Sequence, residues 1–193
     1  MKRRRSGCVA WLLAVGLACA GAARAQTPVG ATPAEVQAAY LLNFLRFTQW
    51  PEPLASSDEP VDVAVLGAEP LAAALKLLLQ QPGASGTRPV RVHALGEISS
   101  ARARRQLRAA EVVFVAQREW PDPSRLLQDL RGRPVLTIGE GPEFARRGGM
   151  LGLVPQGSRI VFDANPGVIH ASGLQLSAKV LKLARIVDQA PNG

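Results

Sequence analysis

Residues 61–70 read Val-Asp-Val-Ala-Val-Leu-Gly-Ala-Glu-Pro, an apolar run followed by a glycine-bearing turn and a proline. A run of β-branched and apolar residues predicts a buried strand, and proline after the turn predicts the first turn of a helix. Residues 137–142, Thr-Ile-Gly-Glu-Gly-Pro, repeat this arrangement. Both stretches therefore indicate strands that lead directly into helices.

Apolar runs and helical patterns alternate outward from these stretches. Strands are predicted at 61–66, 90–94, 112–116 and 135–138, and helices at 33–48, 70–80, 99–108, 123–130 and 142–147. Residues 150–154 and 159–162 flank a hairpin turn at 155–158, and a helical region at 166–187 closes the chain. The alternation predicts an α/β fold, a three-layer sandwich with a mostly parallel sheet and a C-terminal antiparallel hairpin.

The first 25 residues have the three-part layout of a secretory signal peptide. Four basic residues, Lys2 to Arg5, come first, and an apolar stretch from Cys8 to Ala20 follows. Ala23-Arg24-Ala25 then offers small residues at the two positions that a signal peptidase inspects. The apolar stretch is shorter than the about 20 residues that span a bilayer.

We therefore expect export to the periplasm with cleavage after Ala25. An uncleaved membrane anchor and a lipoprotein attached through Cys19 are the alternatives. In the expected mature protein, residues 26–32 form a short tether and residues 33–190 form a single α/β domain.

Removal of the leader changes the charge and the cysteine content. The whole chain has 23 basic and 15 acidic residues, a net charge of +8. The leader contains five of the basic residues and no acidic one, so the mature chain has 18 against 15 and a net charge of +3. This modest charge does not favour a nucleic-acid partner. Both cysteines, Cys8 and Cys19, lie in the leader, so the mature domain cannot form a disulfide.

No catalytic or metal-binding motif stands out. The two histidines, His93 and His170, lack neighbours at metal-ligand spacing. Ser177 and Lys179 are two residues apart, and such residues do not face each other on a helix. We therefore predict no catalytic residue, no metal and no cofactor, and a protein that is not an enzyme.

Four arginines form a basic face on the helix predicted at 99–108; they are Arg102, Arg104, Arg105 and Arg108. A run of like charges on a helix usually marks a solvated face. An anionic surface or partner is the alternative.

The first helix has two apolar stripes. At about 100° per residue, one stripe contains Val36, Tyr40, Phe44 and Phe47. The other, roughly opposite, contains Leu41, Leu42 and Leu45. One stripe is enough to dock a helix on a sheet, so the second needs a cover. That cover is another element of the chain, a partner or a second copy. The residues that we predict to form a partner or dimer surface are Tyr40, Leu41, Phe44, Leu45, Phe47 and Trp50.

Two further segments carry predicted roles. Gly148 and Gly149 are expected to permit the turn before Met150. In the C-terminal helix, Lys179, Lys182 and Arg185 are expected to occupy later turns, where cations favourably meet the helix dipole.

These segments together resemble the YfiR family of periplasmic proteins. Residues 39–51 are similar to the opening motif of the family, and residues 65–67 to its first strand and turn. Residues 144–150 resemble its Gly-Gly-Met segment, and residues 177–187 its terminal helix. The similarity is collinear and spans nearly all of residues 34–187.

The resemblance implies a non-enzymatic regulator. Such a protein contacts the sensory domain of an inner-membrane diguanylate cyclase, represses it, lowers cyclic di-GMP and so affects biofilm formation. The resemblance also implies a homodimer. Family members can have cysteines in the mature domain, whereas this chain has none, so disulfide-dependent switching is not expected here.

A periplasmic small-molecule sensor or carrier is the alternative function. Ligands of open α/β sheets bind at the carboxyl ends of strands, which here means turns such as Gly67–Pro70 and Gly139–Pro142. The two functions are compatible, because a repressor can respond to a small-molecule signal.

Overall fold

The described part of the chain is built around a seven-stranded sheet. The structure, a computed structural model, describes residues 30–84, 86, 88–96, 98, 100–117, 123–157 and 159–188. The predicted signal peptide, its cleavage after Ala25 and the tether up to residue 29 lie outside these ranges. The chain divides after Gly30, and the part from Ala31 onward forms one compact unit.

The main sheet has the strand order β3-β2-β4-β5-β6-β7-β9, and β1 pairs with β8 in a separate two-stranded sheet. The strands are β1 Thr48–Gln49, β2 Val61–Leu66, β3 Val90–Leu95, β4 Val112–Val115, β5 Leu136–Glu140, β6 Leu151–Gln156, β7 Arg159–Ala164, β8 Gln175–Leu176 and β9 Arg185–Ile186. In the main sheet, neighbours run parallel except β6 and β7. The predicted antiparallel hairpin is confirmed, with Pro155 and Gln156 in β6 instead of the turn.

The first four helices begin and end within two residues of the sequence prediction. The helices are α1 Pro33–Arg46, α2 Glu69–Leu79, α3 Ala101–Ala109, α4 Ser124–Leu130, α5 Pro166–Ala171 and α6 Ala178–Leu181, with a 3-10 turn at Leu54–Ser56. Within the described ranges, no helix is long and apolar enough to cross a membrane.

The helices cover both faces of the sheet, which confirms the predicted three-layer sandwich. The burial of strand β4 reflects this coverage: all four of its residues, Val-Val-Phe-Val, are buried. Val112 and Phe114 pack into a core with α1 and α2, whereas Val113 and Val115 pack into a second core with α3 and α4. A central strand that alternates between two cores must be apolar throughout.

Local chemistry sets the start of α1. The Thr32 side-chain oxygen accepts a hydrogen bond from the Glu35 backbone N–H at 3.3 Å, and the Thr32 N–H donates to Glu35 Oε2 at 2.7 Å. This reciprocal capping box satisfies two backbone donors that the first helical turn leaves unpaired. Hydrogen bonding of the Glu35 carboxylate, chiefly to the Thr32 backbone N–H and secondarily to the Thr32 side chain, lowers the pKa of Glu35 below its ordinary value of 4.5.

The prediction of a short helix at 142–147 is wrong. These residues form consecutive turns, with a hydrogen bond from the Arg147 N–H to the Glu143 carbonyl at 2.9 Å. Phe144 and Ala145 are buried in this segment. Its apolar residues therefore reach the core without regular helix.

The prediction of one helical region at 166–187 is also wrong. Helix α5 ends where Gly173 adopts a positive φ of 79°. The chain then forms β8, the four-residue α6 and β9. Val180 is buried in α6 and Val187 directly after β9, while Leu183 between them is 77% exposed. Strand pairing therefore replaces the helix that the apolar spacing favoured.

Candidate interaction surface

The aromatic stripe of α1 packs on β7 of the same chain. The Phe44 ring lies 5.0 Å from that of Phe162, and the Tyr40 ring lies 5.9 Å from Phe44 and 6.0 Å from Phe162, measured between centroids. The Tyr40 hydroxyl donates to the Ile160 carbonyl at 2.8 Å. Aromatic contacts of this kind fix orientation as well as burying area. The C-terminal hairpin thus covers this stripe.

The second stripe of α1 is covered by α2. Leu41 is 0% and Leu45 8% exposed, and both belong to the same core cluster as Leu71 and Leu75 of α2. Phe44 is 2% exposed. Leu41, Phe44 and Leu45 therefore serve the core, which corrects their prediction as exposed partner-surface residues.

Large apolar side chains are exposed at the end of α1 and in the C-terminal segment. Phe47 is 41%, Leu183 77% and Ile186 55% exposed. The Phe47 carbonyl accepts a hydrogen bond at 2.9 Å from the N–H of Ser177, the N-cap of α6, and β1 pairs with β8 beside it. We call Phe47, Leu183 and Ile186 the apolar edge. Of the predicted surface residues, Phe47 is the exposed one, while Tyr40 and Trp50 are half-buried.

Trp50 borders a cavity of about 460 Å³. Among the described residues, its indole Nε1 is the buried side-chain polar atom without a hydrogen-bond partner. Arg88 also lines the cavity and is held by Glu111 through two N–O contacts of 2.8 and 3.0 Å. The cavity thus combines apolar walls with fixed polar groups, as small-molecule sites do.

The Gly-Gly-Met segment is structural. Gly148 has a φ of 99°, in the region that favours glycine, and so permits the predicted turn. Gly149 lets the Phe144 ring lie close to the backbone, because a Cβ at residue 149 would lie 2.2 Å from Phe144 Cε1. A Cβ on Gly139 would lie 2.2 Å from Phe144 Cδ2. The Phe144 ring is thus held between two glycines. Met150 is buried, and its N–H donates to the Thr137 hydroxyl oxygen at 3.0 Å.

The predicted basic residues of the C-terminal helix do not share one helix. Lys179 lies in α6, Lys182 is its C-cap and Arg185 lies in β9. The Arg185 Nε–H donates to Asp163 Oδ1 at 2.6 Å, and Asp163 is almost fully buried. Arg185 therefore compensates a buried carboxylate instead of meeting a helix dipole.

Sequence reasoning missed a polar cluster on β2, β3 and α3. His93 Nε2 lies 2.7 Å from Asp62 Oδ1, and the Gln106 side-chain amide lies 2.9 Å from His93 Nδ1. These partners indicate that Nε2 carries the proton. Parallel pairing of Asp62 with Arg91 and of Ala64 with His93 brings the groups together. Because side chains alternate between the two faces of a sheet, Asp62, Arg91 and His93 share one face, and this alternation was the signal that the sequence offered. Both ring nitrogens are occupied, and across the described ranges no group of three His, Cys, Asp or Glu is placed to hold a metal ion.

The sequence predicts a ligand crevice at the carboxyl ends of the strands, near a switch point of the sheet. The switch point lies between β2 and β4, because the helices that follow them cover opposite faces. Next to it, Glu140 Oε2 accepts from the Gln117 N–H at 3.1 Å, and Oε1 accepts from the Gln37 side chain at 2.8 Å. The carboxylate at this crevice is thus engaged by α1 and the loop after β4.

The fold and its surfaces define a class: a three-layer α/β protein whose described polar clusters are paired internally and whose apolar edge is exposed. The chain belongs to the YfiR/HmsC-like family, whose model it matches over residues 34–185. Proteins of this family are periplasmic and regulatory rather than catalytic. The family is associated with regulation of diguanylate cyclase signalling through a membrane partner.

Proposed function

We propose that this protein is a periplasmic repressor of an inner-membrane diguanylate cyclase. It binds the sensory domain of the cyclase by direct protein contact and thereby lowers cyclic di-GMP. The observation that carries the proposal is the apolar edge of Phe47, Leu183 and Ile186. Family membership supplies the class of partner.

The apolar edge supports binding because the chain has no need of it for folding. The Leu183 and Ile186 side chains are more than half exposed, whereas their neighbours Val180 and Val187 complete the core. Large exposed apolar patches on soluble domains mark interaction sites. β9 is also a two-residue edge strand, so a partner meets a short edge beside these side chains.

Cyclic di-GMP levels in a deletion strain test the proposal. Deletion should raise cyclic di-GMP, and the wild-type gene should restore the low level. Leu183→Glu should fail to restore it, because a carboxylate would have to be desolvated at an apolar contact. Leu77→Glu is the matched control, since Leu77 is 63% exposed on α2 and lies outside the C-terminal segment that contains Leu183 and Ile186.

Unchanged cyclic di-GMP after deletion, under several growth conditions, would contradict the repressor function. Restoration by Leu183→Glu would remove the apolar edge from the proposal. Sedimentation of the purified proteins tests the predicted homodimer. If the wild type is a dimer and Leu183→Glu is a monomer, the apolar edge binds a second copy of this chain.

A small-molecule sensor is the second candidate, favoured by the cavity beside Trp50. Trp50 contributes an aromatic wall to this cavity, and its ring would pack against a ligand there. Such a ligand could be the signal that releases the cyclase. A metabolite screen by thermal shift tests this candidate: stabilisation that Trp50→Ala abolishes would assign the cavity to ligand binding, and no stabilisation by any metabolite would count against the sensor function.

A further inference from the structure

The helical layer of α3 and α4 carries an excess of positive charge. Helix α3 contains four arginines and no acidic residue, and α4 adds Arg125 and Asp129. Arg131 and Arg133 follow α4 directly. Helices α3 and α4 alone hold five arginines and one aspartate, a net charge of +4, against +3 for the whole expected mature chain.

A groove of about 840 Å³ lies between these helices. Its floor is apolar, from Ile98, Leu107, Leu126 and Leu130. Its rim is charged, and the residues there are Arg104, Arg108, Arg125, Asp129 and Arg133. We call these residues the arginine groove.

Hydrogen bonds fix part of the rim. The Arg133 guanidinium donates to the Arg108 carbonyl at 2.8 Å, which ties the segment after α4 to the last turn of α3. The Arg104 guanidinium donates to the Ile98 carbonyl at 3.4 Å. Arg108 and Arg125 are exposed on opposite walls. A pre-organised rim loses less side-chain entropy when it binds an anion.

Shape and charge together select one kind of occupant. A nine-residue helix such as α3 is about 13 Å long, which matches two to three turns of a partner helix. An amphipathic helix places apolar anchors in a groove at i, i+3, i+4 and i+7. Carboxylates on its flanks would then meet the guanidinium groups, which bind carboxylates through two parallel hydrogen bonds.

A lipid surface fits less well. Interfacial binding requires apolar side chains that protrude into the headgroup region. Here Leu107, Leu126 and Leu130 are 9%, 8% and 5% exposed and lie at the bottom of a concave site. A flat membrane would touch the arginines and leave the floor empty.

We propose that the arginine groove binds an acidic amphipathic helix of a protein partner. It is separate from the apolar edge, so the protein has two surfaces for partner contact. The identity of that partner as the cyclase sensory domain rests on the proposed function, whereas the chemistry of the groove does not.

Direct binding to a designed peptide tests the groove. The probe is a fluorescein-labelled amphipathic peptide with leucines on one face and glutamates on its flanks, followed by fluorescence anisotropy. A matched peptide with lysines in place of the glutamates is the peptide control. Wild-type protein should bind the glutamate peptide and not the lysine peptide.

Paired variants locate the binding. Arg108→Glu with Arg125→Glu should weaken binding about tenfold, since charge-assisted hydrogen bonds on both walls are lost. Arg102→Glu with Arg105→Glu makes the same change in net charge outside the groove and should keep the affinity within about twofold. Arg108→Gln with Arg125→Gln is the second variant at the same two positions, in case the glutamate pair does not fold. It removes both positive charges without placing an acidic residue at the C-terminal end of α3.

Three results would overturn the proposal. They are no binding of the glutamate peptide, an equal loss in both arginine-to-glutamate pairs, and binding to phosphatidylglycerol vesicles without binding to the peptide. Complementation by Arg108→Gln with Arg125→Gln tests the partner in cells. If wild type represses and this variant represses equally, the groove does not bind the cyclase while the repressor function stands. If wild type does not repress, the repressor function fails and the peptide result alone decides the groove.

Discussion

The two helical layers differ sharply although they cover the same sheet. The charges within α1 and α2 are balanced, with Glu35 and Glu69 against Arg46 and Lys76. Helices α3 and α4 carry five arginines against one aspartate. The first layer belongs to the larger of the two core clusters, which extends to the C-terminal hairpin, and the second to the smaller. We infer that one layer mainly stabilises the fold and the other mainly displays charge.

The largest expected difference between the two layers is in the free energy of unfolding that is lost when one leucine of each layer is replaced by alanine. Leu41→Ala in α1 should destabilise by about 4 kcal/mol, and Leu107→Ala in α3 by about 2 kcal/mol. Leu41 is fully buried between α2 and the sheet, whereas Leu107 is 9% exposed on the floor of an open groove. Urea unfolding of both variants measures the difference, and equal losses would show that the layers stabilise the fold equally.

A second stability prediction concerns Phe144, which packs in the second core between Gly139 and Gly149. Gly139→Ala should cost about 1–3 kcal/mol, because its Cβ would overlap the Phe144 ring. Phe144→Leu should recover much of that loss in a double-mutant cycle. Recovery should be poorer for Gly149→Ala, because its Cβ would also lie 2.8 Å from the Phe144 carbonyl oxygen. Simple additivity of Gly139→Ala and Phe144→Leu in urea unfolding would refute the contact.

The smallest expected effect is pH-dependent and belongs to the first layer. Because the pKa of Glu35 is lowered in the folded protein, its ionised form stabilises folding above the ordinary value of 4.5. That stabilisation is lost as the pH falls through the folded pKa. The Tm difference between wild type and Glu35→Gln should therefore be present at neutral pH and vanish on acidification. In a Thr32→Ala background the difference should be smaller but still present, because the backbone N–H of residue 32 continues to donate to the Glu35 carboxylate. An unchanged difference there would exclude a contribution from the Thr32 side chain.

The central strands were predictable because their signal is local. Val112 to Val115 form an apolar run that only a doubly covered strand explains, and the proline-started helices follow from capping chemistry. The C-terminal helix was predicted wrongly because Val180 and Val187 share helical spacing, but Val180 is buried in α6 and Val187 directly after β9.

The candidate surfaces were less accessible from sequence. The sequence predicts an interaction surface on α1, yet Tyr40 and Phe44 pack on β7 and Leu41 and Leu45 join the core with α2, and only tertiary packing decides this. Leu183 and Ile186 lie within the helix predicted at 166–187, so the prediction gave no indication that they are exposed. The four arginines of α3 were visible as a basic face, but the groove needs α4 as its second wall. Likewise, the pairing of Asp62 with His93 depends on strand register, which no local pattern encodes.

The long-range contacts of α1 affect when the protein can finish folding. Tyr40 bonds to Ile160, 120 residues later, and Thr48 pairs with Leu176. A chain that crosses a membrane from its N-terminus delivers α1 first and these contacts last. Until the final strands arrive, the aromatic rings of α1 have no cover and are exposed to aggregation. If this chain is exported from its N-terminus as proposed, its folding is completed only at the end of translocation, and periplasmic chaperones that bind apolar segments would protect α1 in the interval.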